Sequence, residues 1–321
     1  MQVVISSLSS AILDCLEQPG SLGVVHSVFD RALNIRLNDL PRIITLTFPG
    51  AGGLPYALMV ANGCFDGFSS CGIVAGQTVE LGTDSCLRIA AADIQFDFAA
   101  ASTWNPALPK LNDPEDIRAF LELLDWAARH VFEKANHAGL VPLLREPHRL
   151  FDSFVLSADD PERRIASLAA PYVTSLLAAM QREDQKGLAT ATTKLLGYGI
   201  GGTPSGDDLL VGILAALQSS SRPLANRLKI LLSNSIDRQL GEETTSLLSL
   251  TVLRHALAGE FSEKIHEVTR QLMHPTDGNA LEACLDRLLL HGATSGSEMF
   301  LGICLGFMLV YDNRKGDENQ P

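Results

Sequence analysis

The chain has 321 residues, of which 46% are hydrophobic and 19% charged, and a net charge of −12. That length accommodates one large or two medium domains. The acidic balance argues against nucleic acid as a main partner, because phosphate-backbone binding needs clustered Lys and Arg; a small anionic ligand stays open, since a local pocket can oppose the global sign.

The six cysteines show no Cys-x-x-Cys spacing and the histidines no H-x-x-x-H or H-E-x-x-H spacing. No metal and no cofactor is therefore expected. Reduced thiols and the lack of a basic, apolar leader suggest a cytoplasmic protein. The longest apolar run, Met299 to Tyr311, is too short for a bilayer, so no membrane partner is expected.

In chain order, residues 4–17 read as an amphipathic helix ending at Pro19-Gly20. Strand-like runs follow at 24–29, 32–37, 42–48, 56–60, 72–74, 78–81 and 86–89, punctuated by glycines. Short strands at this spacing suggest a small barrel or sandwich. After Trp104 the signal turns helical. Apolar residues at Phe120, Leu124, Ala127, Ala128 and Val131 follow a 3.6 period, with Asp113-Pro114 as the expected helix start. Further helices are expected at 161–185, 186–196, 206–218, 223–240, 243–258, 261–273, 278–290 and 295–310. The expected fold is α+β: a mainly β domain over 1–105 with an N-terminal helix, a helical domain over 106–312, and a disordered tail over 313–321.

The densest signal is Gly197-Tyr-Gly-Ile-Gly-Gly-Thr-Pro-Ser-Gly-Asp-Asp208, which leads into an apolar helix. Glycine permits positive φ and close approach to a ligand, and a helix N-terminus offers unpaired donors and partial positive charge. Gly199, Gly201, Gly202, Thr203, Ser205, Gly206, Asp207 and Asp208 are thus candidate anion-binding residues. No Gly-Lys-Ser/Thr ending accompanies them, so the loop is not a P-loop.

Thr203–Leu214 aligns without gaps on Ala293–Cys304, pairing Ser205 with Ser295, Gly206 with Gly296, Asp208 with Glu298 and Gly212 with Gly302. Both copies read as capping boxes, Ser-x-x-Asp and Ser-x-x-Glu. Glycine inside a helix costs about 1 kcal/mol relative to alanine, which suggests that Gly212 and Gly302 serve close packing between the two helices. Thr294, Ser295, Gly296 and Glu298 join the candidate site on that basis. A capping box after a glycine turn is also a sound helix start without any ligand. Asp207 is left over by the box, for a substrate amide, a cation or solvent. His26, Ser27 and Asn34 on the early strands are weaker candidates, as is Arg254-His255 on a later helix. No catalytic group is assigned.

At these residues the chain resembles the bacterial family that contains the AllH subunit of oxamate carbamoyltransferase. The family pattern Gly-x-Gly-x-Gly-Leu-Thr-Pro-Ser-Gly-Asp-Asp-x-Leu-x-Gly is matched from Gly197 to Gly212, with Gly202 in place of leucine. Val25 to Phe29 with Asn34, and Ser295-Gly296, also match. The resemblance implies a transferase subunit in purine (allantoin) catabolism that exchanges oxalurate and phosphate for oxamate and carbamoyl phosphate. It implies a small anionic ligand (carbamoyl phosphate, phosphate or oxamate) and two protein partners, FdrA-like and AllG-like subunits. The Ser-Thr-Arg-Thr-Arg loop of ordinary transcarbamoylases is absent, so a carbamoyl phosphate site here would rest on backbone amides and hydroxyls. Two other readings stay open: a non-catalytic metabolite-binding or scaffold module, and a Mg-dependent phosphoryl-transfer enzyme using Asp207 and Asp208.

Overall fold

The computed structural model describes residues 1–63, 67–152 and 164–312. The expected tail at 313–321, Cys64 and the first residues of the helix expected from Pro161 lie outside them. The chain is α+β and divides into two compact units. One comprises residues 1–107, 250–255 and 260–263; the other comprises 108–249, 256–259 and the residues from 264 onward.

The first unit is a barrel-like sheet of β1 (Gln2–Ser9), β2 (Gly20–Val28), β3 (Ala32–Leu37), β4 (Ile43–Thr47), β5 (Ala57–Val60), β6 (Thr78–Leu81), β7 (Cys86–Ile89), β8 (Ile94–Asp97) and β9 (Ser102–Trp104). The strands follow the order β5-β4-β3-β2-β6-β7-β8-β1, and β1 pairs with β5 to close the ring. β9 continues along β1 beyond β8. Closure pairs backbone groups that an open sheet would leave at its edges.

The expected N-terminal helix is corrected by this sheet. Residues 2–9 form β1, with Val3 and Ile5 buried and Gln2, Val4 and Ser6 exposed. That is the period-two burial of a strand, and Val3, Val4 and Ile5 are β-branched residues that favour it. Only 10–16 turn helical, as a 3-10 segment whose start is capped by Ser9 Oγ accepting from Ala11 N–H at 3.2 Å. Residues 72–74, expected as a strand, form a turn and coil around Gly72, whose φ is +71°. β8 and β9 carry no strand signal that the sequence reading used.

β4 is buried on both faces. Of its two threonines Thr45 is paired, its Oγ1 donating to Asn34 Oδ1 at 2.7 Å while Asn34 Nδ2 donates to Ser27 Oγ at 2.9 Å; the Thr47 hydroxyl has no partner among the described residues. Ser27, Asn34 and Thr45 are register neighbours on β2, β3 and β4, so they form a cross-strand polar ladder.

The helices are α1 (Ile117–Lys134), α2 (Arg164–Gln181), α3 (Gln185–Leu195), α4 (Ser205–Ser219), α5 (Pro223–Asp237), α6 (Leu247–Leu257), α7 (Glu263–Met273), α8 (Gly278–Leu289) and α9 (Ser295–Tyr311). Residues 250–255 of α6 belong to the first unit, where Thr251 Oγ1 accepts from Ile43 N–H at 2.9 Å. In the second unit every residue of α9 is buried, as are all of α4 except Gln218. Helices apolar all round form the interior of an α-helical unit. α1 packs on α9 through Phe120, whose ring meets Phe307 edge-on at 5.4 Å.

The start of α1 differs from the expected Asp113-Pro114. Asp116 is the cap, its Oδ1 accepting from Arg118 and Ala119 N–H at 2.9 and 3.1 Å. Asp113 instead binds Ser221, Arg222 and Tyr311 at 3.1, 3.1 and 2.9 Å. Among the described residues no helix is long and apolar enough to cross a membrane.

Candidate functional site

The glycines expected to serve packing lie at the crossing of α4 and α9. A Cβ on Gly212 would stand 1.9 Å from Met299 O, and one on Gly302 would stand 2.1 Å from Leu209 O. The two backbones touch there, so neither position has room for a side chain. The same crossing carries both helix starts together: Thr203 Oγ1 and Ser295 Oγ lie 2.8 Å apart.

The two starts share one construction. Gly197 and Gly292, at φ +70° and +66°, follow α3 and α8. Gly206 N–H then donates to Tyr198 O at 2.8 Å, and Gly296 N–H to His291 O at 2.9 Å. A Cβ on Gly206 or Gly296 would stand 2.0 Å from Leu195 O or Leu288 O respectively. The repeat in sequence is therefore a repeated helix–turn–helix, with glycine where each turn presses on the end of the preceding helix.

The expected capping boxes do not form. The caps are Pro204 and Thr294, neither of which makes a side-chain cap bond, and Ser205 and Ser295 are the first helical residues. Each serine is one position too late for the box, which needs the hydroxyl at the cap and the acid at the third helical residue. The acids cross instead. The Asp208 carboxyl of α4 is met by the Ser295 and Thr203 hydroxyls, and the Glu298 carboxyl of α9 by the Ser205 hydroxyl. Glu298 Oε1 also accepts from Leu140 N–H at 2.9 Å, and its Oε2 from Thr294 Oγ1 at 3.0 Å.

Asp207, left over in the sequence reading, is engaged within the protein. Its Oδ1 accepts from Gly197 N–H at 2.9 Å, and its Oδ2 from Ser249 Oγ at 2.7 Å and from Thr245 Oγ1. It ties the glycine loop to the 245–249 segment. Asp208 is the opposite case: it is 1% exposed and its Oδ2 has no hydrogen-bond partner.

All three carboxyls are buried without a cation paired to them among the described residues, and burial raises the pKa of each. Burial lifts Asp208 well above the usual carboxylate range, and the Glu298 and Asp207 charges add to that; the Ser295 and Thr203 hydroxyls oppose it. For Glu298, burial is opposed by Ser205, Leu140 N–H and Thr294. For Asp207 it is opposed by Ser249, Thr245 and Gly197 N–H. Burial thus makes each carboxyl a weaker acid than a free one, Asp208 most of all.

Gly199, Ile200, Gly201 and Gly202 are exposed, with Gly199 and Gly201 at φ +117° and +107°. Among the described residues the N–H groups of 199–203 make no hydrogen bond. Those of Gly206, Asp207 and Asp208 are already bonded, to Tyr198 O and Pro204 O at 2.8–3.2 Å. Among the described residues the unclaimed donors are therefore those of the loop and of Ser205, the first residue of α4.

His26, Ser27 and Asn34 lie in the first unit. Ser27 and Asn34 belong to the polar ladder, and the exposed His26 sits at a register shift between Val25 and Ser27, its Nδ1 3.2 Å from Ser27 Oγ. The same unit holds a pair that spacing did not reveal. His255 Nδ1 lies 2.6 Å from Glu260 Oε2, and the buried Nε2 has no partner. Leu140 was also missed; Gly139 beside it has φ +62° and would place a Cβ 2.0 Å from Glu298 Oε1. A lone Gly-Leu in a loop gives no sign of a contact 158 residues away.

His130, Glu282 and Asp286 are close enough to share a metal ion. Lys134 Nζ already occupies that cluster, at 3.2 Å from Glu282 and 2.9 Å from Asp286.

Two family models match the chain. One, described as oxamate carbamoyltransferase subunit AllH, matches residues 195–307; the other, described as AllH family N-terminal domain, matches residues 4–103. No solved structure matches it.

Proposed function

The chain belongs to the AllH family, and from that premise we propose that it is a subunit of an oxamate carbamoyltransferase complex with an anion site at the paired starts of α4 and α9. The observation that carries this reading is the crossed arrangement there: the Thr203–Ser295 hydroxyl pair at 2.8 Å, with Asp208 and Glu298 each reaching the serine of the other helix.

The reaction exchanges oxalurate and phosphate for oxamate and carbamoyl phosphate. A phosphate oxygen bonds to the carbamoyl carbon, the C–N bond to oxamate breaks, and the leaving nitrogen takes a proton. The unbonded N–H groups of Gly199, Gly201, Gly202 and Thr203 serve as fixed donors to phosphate or to the carbamoyl oxygen. The hydroxyls of Thr203, Ser205, Thr294 and Ser295 orient the substrate, and Gly206 and Gly296 let the two turns close. Asp208, with one oxygen unpartnered and its neutral form favoured, supplies the proton, and Glu298 positions Ser205 and Thr294. Asp207 keeps the loop attached. FdrA-like and AllG-like subunits complete the enzyme.

A second reading, a non-catalytic binding or scaffold module, draws on the N–H groups of Gly206, Asp207 and Asp208, which are bonded without a ligand. The phosphoryl-transfer reading loses ground because both Asp207 oxygens are taken by protein donors. Ser295→Ala in the assembled complex separates the first two. Loss of turnover with assembly intact supports the transferase site; unchanged turnover supports the module.

A further inference from the structure

The turns that lead into α4 and α9 each leave backbone donors unused. Among the described residues the N–H groups of 199–203 make no hydrogen bond, and neither do those of Gly292, Ala293, Thr294 and Ser295 in the turn after α8. Gly292 and Ala293 are exposed. Unpaired N–H groups at a helix start, with the helix dipole behind them, favour an anion.

A helix start alone does not call for a ligand, but a buried acid with an unused oxygen does. Asp208 is 1% exposed and its Oδ2 has no partner. Its carboxyl meets the Ser295 and Thr203 hydroxyls, whose oxygens lie 2.8 Å apart. The counterpart acid differs: Glu298 Oε1 is engaged by Leu140 N–H at 2.9 Å and its Oε2 by Thr294 Oγ1 at 3.0 Å. The two starts are alike in construction and unlike in what they leave open, which is one acid oxygen at the hydroxyl pair where they meet.

The proposed exchange brings two anions together, and the two turns suit different ones. Phosphate is tetrahedral and multiply charged. The loop offers it the successive N–H groups of 199–203, with Gly199, Gly201 and Gly202 leaving the backbone open to close approach. The carboxylate of oxamate is planar and singly charged, and the shorter turn before α9 suits it. Oxamate carries its amide on the carbon bonded to that carboxylate, so both groups must be met side by side. Ser295 provides this adjacency, since its N–H belongs to the turn and its hydroxyl touches Asp208.

We propose that the turn between α8 and α9 holds the carboxylate of oxamate on the N–H groups of Ala293, Thr294 and Ser295, with the amide nitrogen at Asp208 Oδ2 and the phosphate group kept by the 199–203 loop. The assignment rests on the transferase reading and divides its site into two subsites. A phosphate oxygen bonds to the carbamoyl carbon as the carbon–nitrogen bond breaks, and the proton on Oδ2 passes to the nitrogen. That nitrogen stays beside Asp208 as the oxamate amide, and the carboxylate stays on the turn throughout.

The test uses the reconstituted complex in the direction that consumes oxamate and carbamoyl phosphate, measuring KM for each at a saturating level of the other. Ala293→Glu places a carboxylate at the exposed turn, and Ala293→Gln supplies the same bulk without the charge. Gly202→Glu places a carboxylate at the loop, where a Cβ meets Leu248 Cδ2 at 3.6 Å, an ordinary contact. All are compared at equal assembly. Ala293→Glu is expected to raise KM for oxamate about tenfold or more, the scale of a like charge close to a bound anion, with a smaller change for carbamoyl phosphate. Ala293→Gln raises the oxamate KM less than Ala293→Glu does, and Gly202→Glu raises KM for carbamoyl phosphate. An oxamate KM unchanged in Ala293→Glu, an equal rise in Ala293→Gln, or a rise confined to carbamoyl phosphate overturns the subsite. Where the Gly202→Glu effect persists in that case, the loop remains the phosphate site and the subsite alone falls. If neither charge changes either KM, the transferase reading of this site falls with it.

Discussion

Replacing Gly302 with alanine tests the helix crossing on which the candidate site depends. The added Cβ would stand 2.1 Å from Leu209 O, 2.8 Å from Ile213 N and 2.9 Å from Gly212 Cα. All three are backbone atoms, so no rotamer change relieves the clash, and α4 and α9 must move apart by more than 1 Å to reach ordinary contact. Alanine gains roughly 1 kcal/mol of helix propensity over glycine. Overpacking in a tight core costs about 1–3 kcal/mol or more, and here it separates two helices buried over nearly their full length. The expected net effect of Gly302→Ala is destabilisation of about 1–2 kcal/mol, read as a lower urea midpoint at unchanged m. The control is Gly278→Ala at the start of α8, where a Cβ meets nothing within 4 Å; it is expected to be neutral or slightly stabilising. Gly212→Ala meets the same crossing, so combining it with Gly302→Ala should cost less than the sum of the two. A Gly302→Ala protein as stable as the wild type would refute the argument.

Three further outcomes follow from the same geometry. Asp207→Ala leaves Gly197 N–H and the Thr245 and Ser249 hydroxyls without their acceptor, and should cost about 1–3 kcal/mol or more in urea unfolding; a loss below 0.5 kcal/mol (roughly the surface-substitution range) would contradict its tethering role. Asp208 has a folded-state pKa raised above 3.8, so its contribution is largest at low pH and declines as pH climbs from about 4 toward the raised value. Stability of Asp208→Asn relative to wild type should therefore improve between pH 5 and pH 8, and a constant difference would mean the carboxyl is not destabilised by ionising. Asn34→Ala removes the centre of the Ser27–Asn34–Thr45 ladder and should cost roughly 1–3 kcal/mol in thermal or urea unfolding.

The sequence made the glycine loop and its echo before α9 legible, because tight turns and touching helix backbones leave glycine at fixed offsets. Gly212 and Gly302 could be paired before any coordinates, since only contact between helices gives a reason for glycine there. The partners of the acids could not be read. A capping box is defined to the residue, and a start displaced by one position turns a local bond into one between helices, Asp208 to Ser295 and Glu298 to Ser205. The contact of Leu140 with Glu298 is set by the path of the chain and has no local signature. In the first unit, Val3 and Ile5 alternate with exposed residues over too short a stretch to outweigh the apolar Leu8, Ile12 and Leu16 that gave a helical period. β9, at three residues, is below the length at which alternation is informative. Residues 250–255 read as one continuous helix with their neighbours, and nothing in their composition marks them as part of the first unit.

The most direct measurement is the rate of carbamoyl phosphate formation from oxalurate and phosphate by the reconstituted complex, comparing wild type with Asp208→Asn at equal assembly. Asparagine preserves shape and burial while removing the proton that the proposed step delivers. A loss of about 100-fold or more in kcat, the scale of a general acid, is the expected result. A rate within twofold of wild type would contradict the assignment of chemistry to the crossed acids of α4 and α9.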